Sequence, residues 1–546
     1  MKKLKIIVSV LIGSLALTSC NDYLDVNESP NAVAGENLVP SVVFPGAVAQ
    51  VYRTQGNTMM QFGNLMMNSW AGNSYSFGGP FSREYTLSSV DNSFYNPIWN
   101  NLYLYMANFD YVENYEPGNA QFDYYRAMSK VMKSYYMQTI VDLYGDAPYS
   151  QAFKGQQNLT PAYDNDENIY RAIYEQLEVA DGIFKSTAAP ASVASADIIF
   201  KGNTTRWMEF SNSLKLRILL RMHKVTGAMA TFRDQKLTAL STATGSGASG
   251  FLSADATENP GYSGANDDQM NPFLLTWRVN SAGSAPQNYN LITASENIAI
   301  ALNGNNFGNT GTQYQKFNGL PDPRRSRLFT LVPYQSASVV KGVRQGATPG
   351  QPGAPTDNIT TSRLATGNFV GGASVSTIAD LIAAGNARGG VLMSLAESKL
   401  LLAEASVRYP SRFTVGQSSF NDAITSHFSY IGVPLVGGVS QAIGYIASIN
   451  TRPGLGWVGT DTQKIEAIMT QKWLALTNVN PTEMFIEYNR TGFPITPLAT
   501  TAAVPNKPYR LVYPVSEYVA NSANVPNVTQ ADVFVKNQYT PFWNQN

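Results

Sequence analysis

The sequence predicts a mainly α-helical chain in which paired helices carry large loop insertions. Apolar residues recur at three- and four-residue spacing in several stretches, as the buried stripe of a helix requires. Strand-like alternation is weak and scattered. Between the helical stretches lie long segments rich in Gly, Ser, Asn and Pro, at 56–94, 241–290, 303–320 and 335–390. Loops of that length are usually functional or disordered. The aromatics within many of them favour ordered loops packed on a helical scaffold.

From the N-terminus, Met1-Lys2-Lys3-Leu4-Lys5 precedes a 12-residue apolar run, 6–17, and then Thr18-Ser19-Cys20. Lysines ahead of a short apolar run make a secretory signal peptide, 1–19. The run is too short to span a bilayer as a finished helix. Small residues before Cys20 fit lipoprotein processing, in which the thiol takes a diacylglycerol and the freed amine a further chain. Several acyl chains anchor stably where one is marginal. Cys20 is the only cysteine, so no intrachain disulfide is expected. Residues 20–50 read as a lipidated, extended tether, and 51–546 as one helical domain.

Helices are expected at 95–111, 126–143, 164–181, 206–222, 391–407 and 462–476. In 126–143, Met128, Val131, Met132 and Tyr135 share a face. In 206–222, Trp207, Phe210, Leu214, Ile218 and Met222 do so. The segment 391–407 is apolar nearly all round and reads as buried. Thr460 and Gln463 form a capping box before the last helix, and Thr293 and Glu296 another before Ile298. No clean repeat of about 34 residues is visible, although paired amphipathic helices suit a degenerate tetratricopeptide-like array.

Lys and Arg (38) balance Asp and Glu (38), and losing Lys2, Lys3 and Lys5 leaves the remainder mildly acidic. There is no basic field for nucleic acid. Charged residues are sparse at 14%, whereas Tyr (30) and Phe (25) are plentiful. Amides, hydroxyls and rings suit neutral polar ligands such as sugars. They also suit any extracytoplasmic protein. Enzyme signatures are weak. His223 and His427 are the only histidines. No HExxH, no Cys/His metal cluster and no GxSxG elbow occur, and no metal or cofactor is expected. Gly454, Gly456 and Gly459 spell GxGxxG, but Pro453 and Trp457 crowd it and no βαβ unit surrounds it. A turn into the Thr460 cap explains these glycines. Asp164-Asn165-Asp166-Glu167 lacks calcium-loop spacing and reads as a helix cap with acids in the first turn.

Several segments, in order, resemble the SusD/RagB family of outer-membrane nutrient-binding lipoproteins, and most closely its SusD-like family 2 branch. They are 21–31 after Cys20; Tyr125-Arg126-Ala127 through Leu143-Tyr144-Gly145-Asp146-Ala147-Pro148-Tyr149; and Arg206-Trp207 with Asn212 to Arg217. Next come Leu320-Pro321-Asp322-Pro323-Arg324, Glu397, Ala403-Glu404-Ala405 and Gln471 to Leu476. Glu487-Tyr488-Asn489-Arg490-Thr491-Gly492 with Pro494, then Arg510 and Tyr513-Pro514, complete the series. Many relatives read Glu-Ala-Trp-Phe-Glu before the Arg-Thr-Gly element; here it is Thr482 to Glu487, Thr-Glu-Met-Phe-Ile-Glu. The resemblance implies a tetratricopeptide-like scaffold with a loop-rich face, on the outer leaflet of the outer membrane. It implies a SusC-like TonB-dependent β-barrel transporter as partner, over which the lipoprotein sits as a hinged lid. The lid captures an oligosaccharide or a peptide, with no bond made or broken.

Trp99, Trp207 and Trp473 lie on apolar helix stripes and read as core. Binding residues are expected in loops, where rings stack on sugar C–H faces and amides read hydroxyls. The candidates are Trp70, Asn73, Tyr75 and Phe77, with Asn68 beside them, and Trp277 with Arg278. Alternatively, these rings cover the scaffold or face the transporter. A surface glycosidase and a structural or adhesive lipoprotein remain as other readings. A buried, coupled carboxylate pair in a cleft would mark the first, and a flat loop face the second.

Overall fold

The computed structural model describes residues 38–73, 80–245, 250–354 and 360–545. The signal peptide 1–19, Cys20 and the 20–37 part of the tether lie outside the described residues. So do Tyr75 and Phe77.

The chain enters as a helix. Residues 40–50, expected to be extended, belong to α1 (Pro40–Thr54). Phe44, Ala47, Val48 and Val51 are buried at helical spacing, a period obscured by Pro45 and the β-branched Val42 and Val43. Pro40 sits in the first turn, where its missing N–H costs nothing. A π-helical turn, Gln55–Met59, continues α1 into α2 (Met60–Met66).

Then follow α3 (Pro97–Asn114), α4 (Asp123–Tyr144), α5 (Asp166–Ser186), α6 (Thr204–Arg221) and α7 (Gly227–Ala243). After a loop-rich stretch come α8 (Glu296–Asn303), α9 (Ile378–Arg388), α10 (Leu395–Arg408), α11 (Gly416–Tyr430), α12 (Gln441–Ile449), α13 (Asp461–Leu476) and α14 (Pro481–Thr491). Neighbours in this order pack on one another: α3 on α4, α4 on α5, α10 on α11, α13 on α14. α6 meets α10, and α14 returns to α2. A Cβ on Gly63 would lie 2.2 Å from the Pro481 carbonyl carbon, so α2 and α14 touch backbone to backbone. The result is a mainly helical, tetratricopeptide-like scaffold. α4 is its axis: from Tyr124 to Tyr144 only Lys130 is not buried.

Strands are short and local. β1 (Trp70–Gly72) pairs antiparallel with β3 (Ile292–Ala294), β2 (Ala256–Glu258) with β6 (Gly390–Met393), and β4 (Val332–Tyr334) with β5 (Ala337–Val339). Two expectations fail here. Residues 391–393 are β6, not helix, because Gly389 holds a positive φ against the Glu258 carbonyl and the helix starts only where Ser394 caps Glu397. Thr293 is strand, and Ser295 is the true cap, accepting from the Ile298 amide. The Thr460–Gln463 box forms as expected, as does the Asn165 cap with Asp166 and Glu167 in the first turn. Gly454 and Gly459 adopt positive φ in the turn before that box.

A buried charge network holds the helices in register. The Arg221 guanidinium meets Asp142 (3.1 Å, α4), Glu483 (2.6 Å) and Glu487 (2.8 Å, both α14). Lys472 of α13 reaches Glu487 at 3.2 Å. Arg490 grips Glu404 of α10 with two N–H groups, at 2.6 and 2.7 Å, and also bonds Glu487. Arg217 faces Glu397 at 3.4 Å and stacks over Tyr135 at 4.5 Å. Arg408 closes the rim on Glu404 at 2.5 Å. Burial raises carboxyl pKa values and nearby cations lower them. Burial pushes Asp142 up to about 6 despite Arg221. At Glu404 burial acts upward too, but Arg490 and Arg408 outweigh it and hold the group down to about 2.

Replacing Arg221 with Met would leave Asp142 without a cation in the core and take one of the cations from Glu483 and Glu487. The expected loss is about 3–5 kcal/mol, read from the urea midpoint, whereas a loss under about 1 kcal/mol would show that apolar packing alone sets the register. Glu258 offers a pH test. It is fully buried in β2, accepts from the Tyr262 hydroxyl at 2.9 Å, and burial pushes its carboxyl up to about 8. The unfolded value is about 4.3, so the native state favours the proton, and stability is lost as pH rises through that range. Glu258→Gln should gain on the parent between about pH 5 and about pH 9 in urea unfolding. A constant difference across that window would contradict the assignment.

Candidate ligand-binding face

Of the described loop candidates from sequence, Trp70, Asn73 and Trp277 are buried and Arg278 is half-buried. Trp70 is fully buried in β1, and its Nε1 donates to Asn478 Oδ1 at 2.8 Å. Trp277 is 2% exposed and donates to the Gly56 carbonyl at 2.8 Å. The two rings meet edge to face at 4.9 Å, so the structure brings both candidates together as core. Neither offers a ring face to a ligand. Their Gly- and Asn-rich flanks look like exposed loop in sequence, but long-range bonds to α13's C-terminal turn and to the π turn draw them inward. Asn68 is likewise buried, donating to the Pro497 carbonyl at 3.1 Å.

Asn73 and Arg278 lie at the edge of this core. The Asn73 amide, with its oxygen toward the Arg363 guanidinium, donates to Thr361 Oγ1 at 2.6 Å. Arg363 in turn donates to the Asn290 carbonyl at 2.7 Å and the Ile292 carbonyl at 3.0 Å. Next in the chain, Tyr289 carries the Arg278 guanidinium over its ring at 4.9 Å. Arg278 Nε is buried without a protein partner. Buried Asn73 and half-buried Arg363, Tyr289 and Arg278 thus form a polar edge beside the β1–β3 ladder.

Exposed rings sit elsewhere: Tyr111 on the outside of α3 (39% exposed) and a pair brought together from two distant segments. Phe307 (36% exposed) and Tyr334 (37%) meet edge to face at 5.8 Å. Lys341 Nζ stands 5.8 Å from the Tyr334 ring centre. Asn303, the last residue of α8, builds this pair. Its amide donates to the Val340 carbonyl at 2.7 Å and accepts from the Val340 amide at 3.0 Å, clipping α8 to the strand end. Gly304 then turns left-handed against Leu320, where a Cβ would come within 2.3 Å of backbone. Asn305 accepts from the Phe307 amide at 2.9 Å, which holds Phe307 at φ +47. The β4–β5 hairpin brings up Tyr334 from the other side. A lone aromatic inside the Asn- and Gly-rich stretch at 305–309 was the only local signal, and its partner lies far along the chain.

Titratable groups cluster away from these loops. His427 Nδ1 lies 3.1 Å from an Arg324 Nη, and burial together with that charge holds the ring well below its ordinary pKa. Asp322 (2.7 Å) and Gln471 (2.8 Å) complete the Arg324 shell. His223 is held down to about 2 by burial and by Arg490. The perturbed carboxylates Glu258, Glu397, Glu404 and Glu487 are all closed in the core. No cluster of His, Cys, Asp or Glu fit to hold a metal occurs among the described residues. A recess of about 320 Å³ opens beside His223, Arg408 and Phe493, at helix ends rather than among these loops.

Known proteins of this shape exist. A SusD homologue from Bacteroides thetaiotaomicron is similar in fold, with a TM-score of 0.65 and 20% identity, over 93% of this chain and 99% of its own. A chitin-binding SusD homologue from Flavobacterium johnsoniae gives 0.66 and 19%, over 92% and 98%. At such identities the likeness concerns fold alone. No curated protein matches the sequence. The model of the SusD-like family described as "Starch-binding associating with outer membrane" matches residues 30–252 and 280–514. That match runs through nearly all of the helical scaffold, from α1 to the α14 charge network and beyond, and this chain belongs to that SusD-like family.

Proposed function

We propose that the protein is a lipid-anchored capture protein of the outer membrane, held at the cell exterior through Cys20. It takes up an oligosaccharide and passes it to a SusC-like TonB-dependent β-barrel, over which it closes as a lid. Family membership supports the location and the nutrient-binding class. One observation carries the choice of ligand. Phe307 and Tyr334 are held edge to face and partly exposed beside an Asn- and Gly-rich loop, with the Lys341 ammonium next to them. A sugar ring lays its C–H face on such an aromatic, and its hydroxyls bond to amides. The family description names starch, and one fold relative binds chitin, so glucan and chitin oligosaccharides are the ligands to try first. Binding would be followed by hand-over, with no covalent step in this chain.

Phe307→Ala and Tyr334→Ala should each weaken oligosaccharide binding about tenfold, or about 1.4 kcal/mol, in isothermal titration. Each ring is only about a third exposed, so the loss of ring packing should cost no more than about 1 kcal/mol in unfolding, and affinity is compared on folded protein. Equal affinity in the double variant would remove the pair from the site. A C-terminally tagged chain purified from native outer membrane should bring a barrel transporter in stoichiometric amount, identified by mass spectrometry. If no barrel comes with it, the transport reading falls, and the glycosidase and adhesin readings take its place.

A further inference from the structure

The recess beside His223 is a second place where a small molecule fits. It holds about 320 Å³, more than a lone inorganic anion fills and within the range of about 300–1,000 Å³ that small-molecule sites occupy. Four helix ends frame it: the C-terminal ends of α6, α10 and α14 and the N-terminal turn of α13. Gly492 ends α14 at φ +79° and sets half-buried Phe493 on the wall, beside Val407 and Ile465.

The cations of this recess are not spent on protein carboxylates. Lys224 is exposed, donates to the Arg490 carbonyl at 3.1 Å and forms no ion pair among the described residues. Burial, then the charges of Lys536, Arg408 and Arg490, hold its pKa below the ordinary lysine value. Arg408 commits only its Nε, to Glu404 at 2.5 Å, and that carboxylate is already held by two N–H groups of Arg490. His223 adds a neutral donor. Its Nδ1 accepts from Arg490 at 3.2 Å, and burial together with that cation keeps the ring uncharged, so the proton sits on Nε2. The acid on the rim, Asp461, is exposed and stands 3.4 Å from the Lys464 ammonium. Two cations against one acid, itself paired, leave the recess positive.

Charge and shape together select the occupant. A carboxylate makes charge-assisted bonds to an ammonium and a guanidinium. Carried on a sugar, it also brings a C–H face for the Phe493 ring and hydroxyls for the oxygens of Asp461 and Thr462. A bare phosphate would use the cations and leave the apolar wall unfilled. A neutral sugar would leave the ammonium uncompensated. We propose that this recess binds an acidic sugar residue, its carboxylate held by Lys224 and Arg408 and its ring lying on Phe493. The site is separate from Phe307 and Tyr334, and its sugar class rests on the capture reading above.

The test titrates digalacturonate, its dimethyl ester and inorganic phosphate into the full-length chain in detergent, with a neutral glucan oligosaccharide alongside. The diacid should bind about tenfold tighter than the ester. Lys224→Gln should abolish that preference and Lys224→Arg should keep it, both unfolding in urea as the parent does. Phe307→Ala with Tyr334→Ala should weaken the glucan and leave digalacturonate unchanged. If diacid and ester bind alike, or Lys224→Gln keeps the preference, the recess site is overturned, while a glucan that still depends on the ring pair leaves the capture reading standing. Phosphate that displaces digalacturonate at comparable concentration overturns the sugar assignment, because the recess then takes any oxyanion. If the diacid behaves as expected and the glucan does not bind, the recess stands and capture by the ring pair falls. If neither sugar binds, both readings fall together.

Discussion

Everything else in the fold is arranged around the buried charges on α4, α6, α10, α13 and α14. A purely apolar interface between helices tolerates a slip of a few ångströms at little cost. A guanidinium that must meet Asp142, Glu483 and Glu487 at once does not, because a slip leaves buried charge uncompensated. The carboxylates Asp142, Glu397, Glu404, Glu483 and Glu487 are matched one for one by Arg217, Arg221, Arg408, Lys472 and Arg490. The desolvation cost of each is large, so the gain lies less in stability than in a unique helix register. We read the network as the device that lets a chain with no second cysteine hold long loops in fixed positions.

This explains what the sequence made legible. The segments that carry the family resemblance are largely the network and its immediate neighbours: Arg217, Glu397, Glu404, Lys472, Glu487 and Arg490. Long helices also announced themselves, because a buried face repeats every three or four residues and α4, α6 and α13 bury that face deeply. Three-residue strands have no period to read. β6 looked like the start of α10 since apolar residues run through both, and only the glycines at 389 and 390 mark the break. The α1 period was present but lay under Pro45 and paired valines.

The exposed rings proposed to bind ligand were not legible in the sequence residue by residue. Loops were expected to carry them; of the exposed ring pair, Phe307 lies on a loop and Tyr334 at the end of β4. Local composition, however, cannot tell a Trp that leaves a loop for the core from one that stays outside. Trp70 and Trp277 are drawn in by Asn478 and Gly56, hundreds of positions away. Phe307 and Tyr334 meet where Asn303 clips α8 to Val340. Both outcomes involve contacts between residues far apart in the chain, which leave no trace in a window of sequence.

The two sites proposed here differ in the physics each task demands. A neutral sugar that must be captured and then released is best met by half-exposed rings and amides, which exchange one hydrated contact for another at modest net gain. An acidic sugar needs cations whose charge is not already taken by the protein's own carboxylates. Such cations stand where an ion-pair network ends, not at its centre. Arg490 takes both oxygens of Glu404, so Arg408 beside it commits a single N–H, and Lys224 at the rim donates to a carbonyl rather than a carboxylate. Relatives near 20% identity keep the scaffold. The ring pair lies outside the charge network and can vary without disturbing it. The recess grows out of the network, so the same charges that fix the helix register also fix where its donors stand.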